Sequence, residues 1–179
     1  MGSDLEQAPP PGALAEQITY AKYLAASNLL PKDLRDQPAN LLLILGHAQA
    51  LGIHPTAAIQ GIAIINGKPT LSAQLMAGLA RARGHKLRVE ADNQTAIAKL
   101  IRADDPDYEH VFTFDMADAE RAGLTSSTNW QKYPQAMLRA RATSGIIRAA
   151  CPEALAGITH TPDELEPGII IDGDTGEVI

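Results

Sequence analysis

Residues 129–151 read NWQKYPQAMLRARATSGIIRAAC. The stretch opens on the chain's one tryptophan, Trp130, and runs into a helical pattern carrying Arg139, Arg141 and Arg148. Pro134 suits the first turn of a helix, where a missing N–H costs nothing. The residues that follow it (Gln, Ala, Met, Leu, Arg, Ala) are good helix formers. Arg141 and Arg148 stand about two turns apart, so their side chains fall within roughly 20° of one another, and Ser144 lies close to the same stripe. Leu138, Ala142, Gly145 and Ala149 make a neighbouring face, small and apolar, fit for close packing. Arg139 points about 160° away from Arg141.

Two cations one above the other, flanked by a hydroxyl, suit a polyanion whose charges repeat along a line. Arginine is the apt residue, because its planar fork matches phosphate and keeps its charge. The same pattern also describes a surface helix with solvated arginines. From the helix alone both readings stand.

Composition narrows the classes. The chain has 179 residues, enough for one domain with tails, and 45% of them are apolar, enough for a core. Aromatic residues make up only 4%, so the core must be aliphatic and rich in alanine. No apolar run reaches the ~20 residues that span a bilayer. The N-terminus lacks the charged-then-apolar pattern of a secretion signal. Cys151 is alone, which excludes an internal disulfide and fits a reducing cytoplasm. It reads as a small buried apolar residue. The net charge is −6, but it is unevenly spread. Residues 60–150 carry 12 basic and 9 acidic side chains, whereas residues 151–179 carry 7 acidic and none basic. A mildly basic core with an acidic tail permits nucleic-acid binding, and the tail is a potential competitor for the same cations.

Read in order, residues 1–12 are a polar, proline-rich leader expected to be disordered. A helix is expected from Ala13 to about Asn28 and a second over Leu41–Leu51, capped by Gly52. The isoleucine-rich run from Ile59 to Ile65 reads as a strand, Asn66-Gly67 as a tight turn, and Lys68–Leu71 as a return strand. Ser72 caps a helix over Ala73–Arg83. Three strands follow, at 85–90, 96–102 and 109–114, as an antiparallel meander. One of its faces is basic through Lys86, Arg88 and either Lys99 or Arg102, while His110, Phe112 and Phe114 share a face of their own strand. Asp115 caps a helix over Met116–Ala122. Residues 123–129 read as a polar loop, a candidate mobile segment. The expected fold is α+β, a hairpin plus a three-stranded meander packed with helices. The core spans residues 13–157 and an acidic tail 158–179.

Several chemistries are excluded by spacing. A phosphate-binding loop needs four residues between its glycines and a Ser or Thr after the lysine. Gly61 and Gly67 are too far apart, and Pro69 follows Lys68. Asp104, Asp105 and Asp107 lack the glycine and terminal glutamate of a calcium loop. His47 and His54 lack further ligands nearby and read as core or capping residues. No nucleophile–base set stands at a recognisable spacing. The expectation is a non-enzyme without cofactor or metal.

The tryptophan, the proline four residues on, the Met-Leu-Arg-x-Arg-Ala run and an arginine seven residues further resemble the RecT/Red-beta family of phage single-strand annealing proteins. The matching residues are Trp130, Pro134, Met137, Leu138, Arg139, Arg141, Ala142 and Arg148. Gly52-Ile53-His54-Pro55, Leu79-Ala80-Arg81-Ala82-Arg83-Gly84 and the Thr-Pro-Asp-Glu-Leu run at 161–165 are similar to the family too. The resemblance implies helices on a small antiparallel sheet beside a long basic groove. That groove would hold single-stranded DNA, and the annealed duplex, by the backbone without ATP. It implies a homo-oligomer, ring or filament, in a bacterial cytoplasm and encoded by a phage or prophage. An exonuclease or a host single-strand binding protein is the partner such proteins engage. The phosphate contacts expected here are Arg141, Arg148 and Arg139, with Lys132 weaker. Lys68, Lys86 and Arg88 are added on sheet geometry. Trp130 is either a base-stacking residue or, as favoured, a packing anchor. Gln135 and Ala136 depart from the family, which often carries basic residues just after the proline.

Overall fold

The structure, a computed structural model, describes residues 11–165. The helices are α1 (Pro11–Ala25), α2 (Pro38–Leu51), α3 (Pro55–Gly61), α4 (Ala73–Ala82), α5 (Met116–Arg121), α6 (Thr128–Lys132), α7 (Pro134–Ala150) and α8 (Pro162–Leu165). The strands are β1 (Ile62–Ile65), β2 (Lys68–Leu71), β3 (Lys86–Ala91), β4 (Thr95–Ile101) and β5 (Glu109–Asp115). They make two antiparallel sheets, the hairpin β1–β2 and the meander β3–β4–β5. The class is therefore α+β.

Local chemistry sets most boundaries. Asn66 and Gly67 close the hairpin with φ of 51° and 74°, the left-handed pair of the turn that matches strand twist. The Ser72 hydroxyl accepts from Leu75 N–H at the start of α4, and Asp115 with Asp118 forms a reciprocal cap on α5. Gly52 ends α2 at φ 68°. His54 caps α3 through its Nδ1, which accepts from Thr56 N–H.

Helix α7 lies across the inner face of the meander, and α4 packs against both α7 and β3. Leu138, Ala142, Gly145, Ile146, Ile147 and Ala150 are all buried along it. In β5, Phe112 and Phe114 alternate with exposed Val111 and Thr113 and turn toward this helix. A Cβ at Gly145 would come within 3.0 Å of three atoms of the Phe112 ring. The missing side chain is thus what lets helix and sheet touch. Ala149 departs from the expected packing face, being exposed.

Four expectations need correction. Residues 59–61 are helical, not extended: His54 and Pro55 supply a cap and an N1 proline, and this start signal overrides the β-preference of Ile59. Pro11 and Gly12 open α1 instead of lying in the leader. Residues 128 and 129, read as loop, open α6, and Leu124 within the loop is buried with its N–H bonded to the Ala119 carbonyl. Residues 158–165, placed with the acidic tail, sit on the core. Ile158, Thr161 and Pro162 are buried there, and Leu71 N–H donates to the His160 carbonyl at 2.9 Å. Residues 1–10 and 166–179, the rest of the leader and tail, lie outside the described residues.

Gly145→Ala is expected to destabilise the protein by about 1–2 kcal/mol. The overpacking penalty exceeds the roughly 1 kcal/mol gained in helix propensity. Phe112→Leu should recover part of the loss, and urea unfolding of the three variants checks both. Cys151 is fully buried, and burial pushes its thiol up to about 11. It should resist iodoacetamide in the native state and react on unfolding, as mass spectrometry would read.

Candidate functional site

The arginine stripe of α7 does not face open solvent. Arg141 Nη2 lies 2.7 Å from Asp163 Oδ2, and its Nη1 lies 2.9 Å from Glu164 Oε1. Arg148 Nη1 donates to both Glu164 oxygens, at 2.7 and 2.9 Å, and to the Thr159 carbonyl at 3.2 Å. Thr161 N–H donates to Glu164 Oε2 at 2.9 Å. Side-chain exposure is 12% for Arg141, 29% for Arg148 and 17% for Glu164, so this is a largely desolvated clasp. Its carboxylates come from α8. Arg141 Nε and the Thr161 hydroxyl are buried within it without a partner among the described residues. The open line of guanidinium groups expected from the spacing is therefore corrected: Arg141 and Arg148 hold the α8 segment against the core.

Burial pushes the Glu164 carboxyl up, but the Thr161 N–H and the Arg148 and Arg141 charges together outweigh it and hold it below its ordinary 4.5. A lowered native value stabilises the fold above the unfolded value, and the gain is lost as pH falls through the lower one. Protection of the Thr161 amide, relative to its exchange rate in an unstructured chain at the same pH, should therefore fall as pH is taken below 4.5, ahead of protection in β4. Glu164→Gln should cost roughly 1–3 kcal/mol, less than a fully buried pair because Arg148 keeps some solvent.

Trp130 is buried, with its ring 6.3 Å from that of Phe114. It anchors the one-turn helix α6 to the sheet, and base stacking is not open to it in this arrangement. Tyr133 separates α6 from α7 at φ −132°, ψ 53°, since Pro134 disfavours a helical residue before it.

Arg139 leaves the other flank of α7 and donates to the Val89 carbonyl of β3 at 2.9 Å. Gln135, one turn earlier, donates to the Ala91 carbonyl at 2.6 Å. Arg81 of α4 donates to the Leu87 carbonyl at 3.3 Å. Alternate carbonyls of one strand point to one side. So all three lie on the edge of β3 that no strand pairs. From sequence, Arg81 enters only within the run at 79–84 and Gln135 only as a departure from the family, neither as a contact to β3. The only available signal was the two-residue period of Leu87, Val89 and Ala91, and it does not say who meets them.

On the outer face of the meander, Lys86, Arg88 and Lys99 are exposed as expected, and Arg88 pairs in register with Lys99. Lys99 also lies 3.7 Å from Glu109, a half-exposed contact of little strength. Arg102, the alternative member, turns inward instead. It donates to the Ala150 carbonyl and pairs with Asp104 and Glu153. Lys68 is exposed at the hairpin tip and Lys132 at the end of α6. The structure thus places Arg139 at the unpaired edge of β3, whose Lys86 and Arg88 lie on the outer face of the sheet. It places Arg141 and Arg148 elsewhere, in the clasp.

Among the described residues no group of His, Cys, Asp and Glu is arranged to hold a metal ion, and no single helix is long and apolar enough to cross a membrane. Compared with protein-family models, curated proteins and solved structures, the chain matches none.

Proposed function

We propose that the chain binds single-stranded DNA by its phosphate backbone and anneals complementary strands without ATP, in the manner of the RecT/Red-beta proteins its α7 resembles. The observation that carries the reading is the unbalanced charge around β3. Lys86, Arg88 and Lys99 share the outer face with Glu90 and Glu109, and Arg81 and Arg139 flank the edge. Two like charges directly opposite, Arg88 and Lys99, repel one another. A bound polyanion removes that cost and releases counterions.

Annealing requires phosphate repulsion to be neutralised while base edges stay free. Cations on an open sheet face do this with no sequence preference. The phosphate contacts are accordingly Lys86, Arg88, Lys99 and Arg139, with Lys68 and Lys132 as outliers on the hairpin and α6. Arg141 and Arg148 serve as framework. A homo-oligomer would carry the backbone from one protomer to the next.

A structural or regulatory protein on the same fold is the second reading. It is favoured by the clasp, which neutralises the very arginines that the resemblance assigns to DNA.

Complementary oligonucleotides bearing a fluorophore and a quencher separate the readings. Faster pairing with protein, in the absence of ATP, is expected. Binding without faster pairing would leave only an adaptor, and no binding at low salt would remove nucleic acid altogether. Arg141→Ala with Arg148→Ala should lower thermal stability and leave the salt slope of binding unchanged. Arg88→Ala with Lys99→Ala should flatten it by about 1.4, two contacts at roughly 0.7 each.

A further inference from the structure

The free edge of β3 has unpaired donors, whereas each of its carbonyls already accepts from a side chain. In the β3–β4 ladder, Asp92 N–H donates to the Thr95 carbonyl at 3.0 Å. The hydrogen-bonded pairs therefore continue at Glu90–Ile97, Arg88–Lys99 and Lys86–Ile101. The alternate residues Leu87, Val89 and Ala91 turn both N–H and C=O to the unpaired edge. Each of their three carbonyls accepts one side-chain hydrogen bond, from Arg81, Arg139 and Gln135 in turn. Among the described residues their N–H groups meet no side-chain or non-ladder backbone acceptor.

This asymmetry selects the partner. An added peptide strand must both give and receive hydrogen bonds, and on this edge its N–H groups would compete at every carbonyl with a side chain already bonded there. Side chains over an edge commonly protect it from such pairing. An acceptor-only chain has no such difficulty. The row repeats at about 6.7 Å, two residues of strand. Val89 and Ala91 are half-buried, and the guanidinium groups of Arg81 and Arg139 are exposed beside them with donors to spare. A periodic row suits a chain of anions better than one small ion.

We infer that the β3 edge is a track for an extended phosphate backbone, held by the Val89 and Ala91 N–H groups and by the second prongs of Arg81 and Arg139. That the backbone belongs to single-stranded DNA rests on the proposed function; the preference for an acceptor-only polyanion does not. Arg81 is the member the sequence does not reveal, and Gln135 is the neutral position in an otherwise cationic row.

The test is a titration of the isotopically labelled protein with an oligothymidine and, separately, with inorganic polyphosphate. The amide signals of Val89 and Ala91 should shift with both. Arg81→Ala with Arg139→Ala should lower the salt slope of oligothymidine binding by about 1.4. Gln135→Arg should steepen it by about 0.7, a gain that a folding defect cannot mimic. Polyphosphate shifting these amides while oligothymidine does not would keep the track and overturn the DNA reading. Unmoved Val89 and Ala91 amides with both probes, or an unchanged slope in Gln135→Arg and in the arginine variants, would overturn the track even if DNA binds elsewhere.

Discussion

The closeness of α7 to the meander is the constraint on which the other features depend. Position 145 has no room for a side chain because the Phe112 ring occupies that space. Given that contact, the helix can sit in only one rotation about its axis. Arg139 then leaves on the β3 side, and Arg141 and Arg148, about 160° and 180° from it on the helix, leave on the other. One flank meets backbone carbonyls of an edge strand, and the other meets carboxylates of α8. The same sequence periodicity thus feeds two unrelated electrostatic environments.

The two environments differ in what they can do. In the clasp the guanidinium groups are largely desolvated and paired, so removing one partner is costly and the free charge available to a ligand is small. At the β3 edge each arginine spends one donor on a neutral carbonyl. It keeps its full charge, and its remaining donors stay exposed. A protein needing a rigid frame and a charged surface from a modest stock of arginines divides them in this way. The clasp leaves the net charge of −6 unchanged, since its two carboxylates cancel two arginines, so what a ligand meets is set by where the remaining charges lie.

Much of the frame was legible in the chain. The hairpin turn at Asn66-Gly67, the caps at Ser72 and Asp115, the meander and the α7 start at Pro134 all follow from local backbone chemistry, and all recur in the structure. Trp130 as a packing anchor and Cys151 as a buried apolar residue follow from composition and size. Less legible were the stretches where two local signals compete. At 55–61 a helix start precedes β-branched residues, and at 158–165 a polar, acidic segment carries Ile158 and Pro162 among its charges. In both, contacts with distant residues decided the outcome.

By itself the sequence determined where the cations are, their spacing along α7 and β3, and the faces they share, since these follow from helical and strand periods. Only the tertiary structure decided what each cation meets. The partners of Arg148 and Arg141 lie 16 and 23 residues away, and that of Arg139 lies 50 away. Periodicity reaches a few turns along one element, whereas a charge is neutralised or left free by whatever another element brings within about 3–4 Å of it.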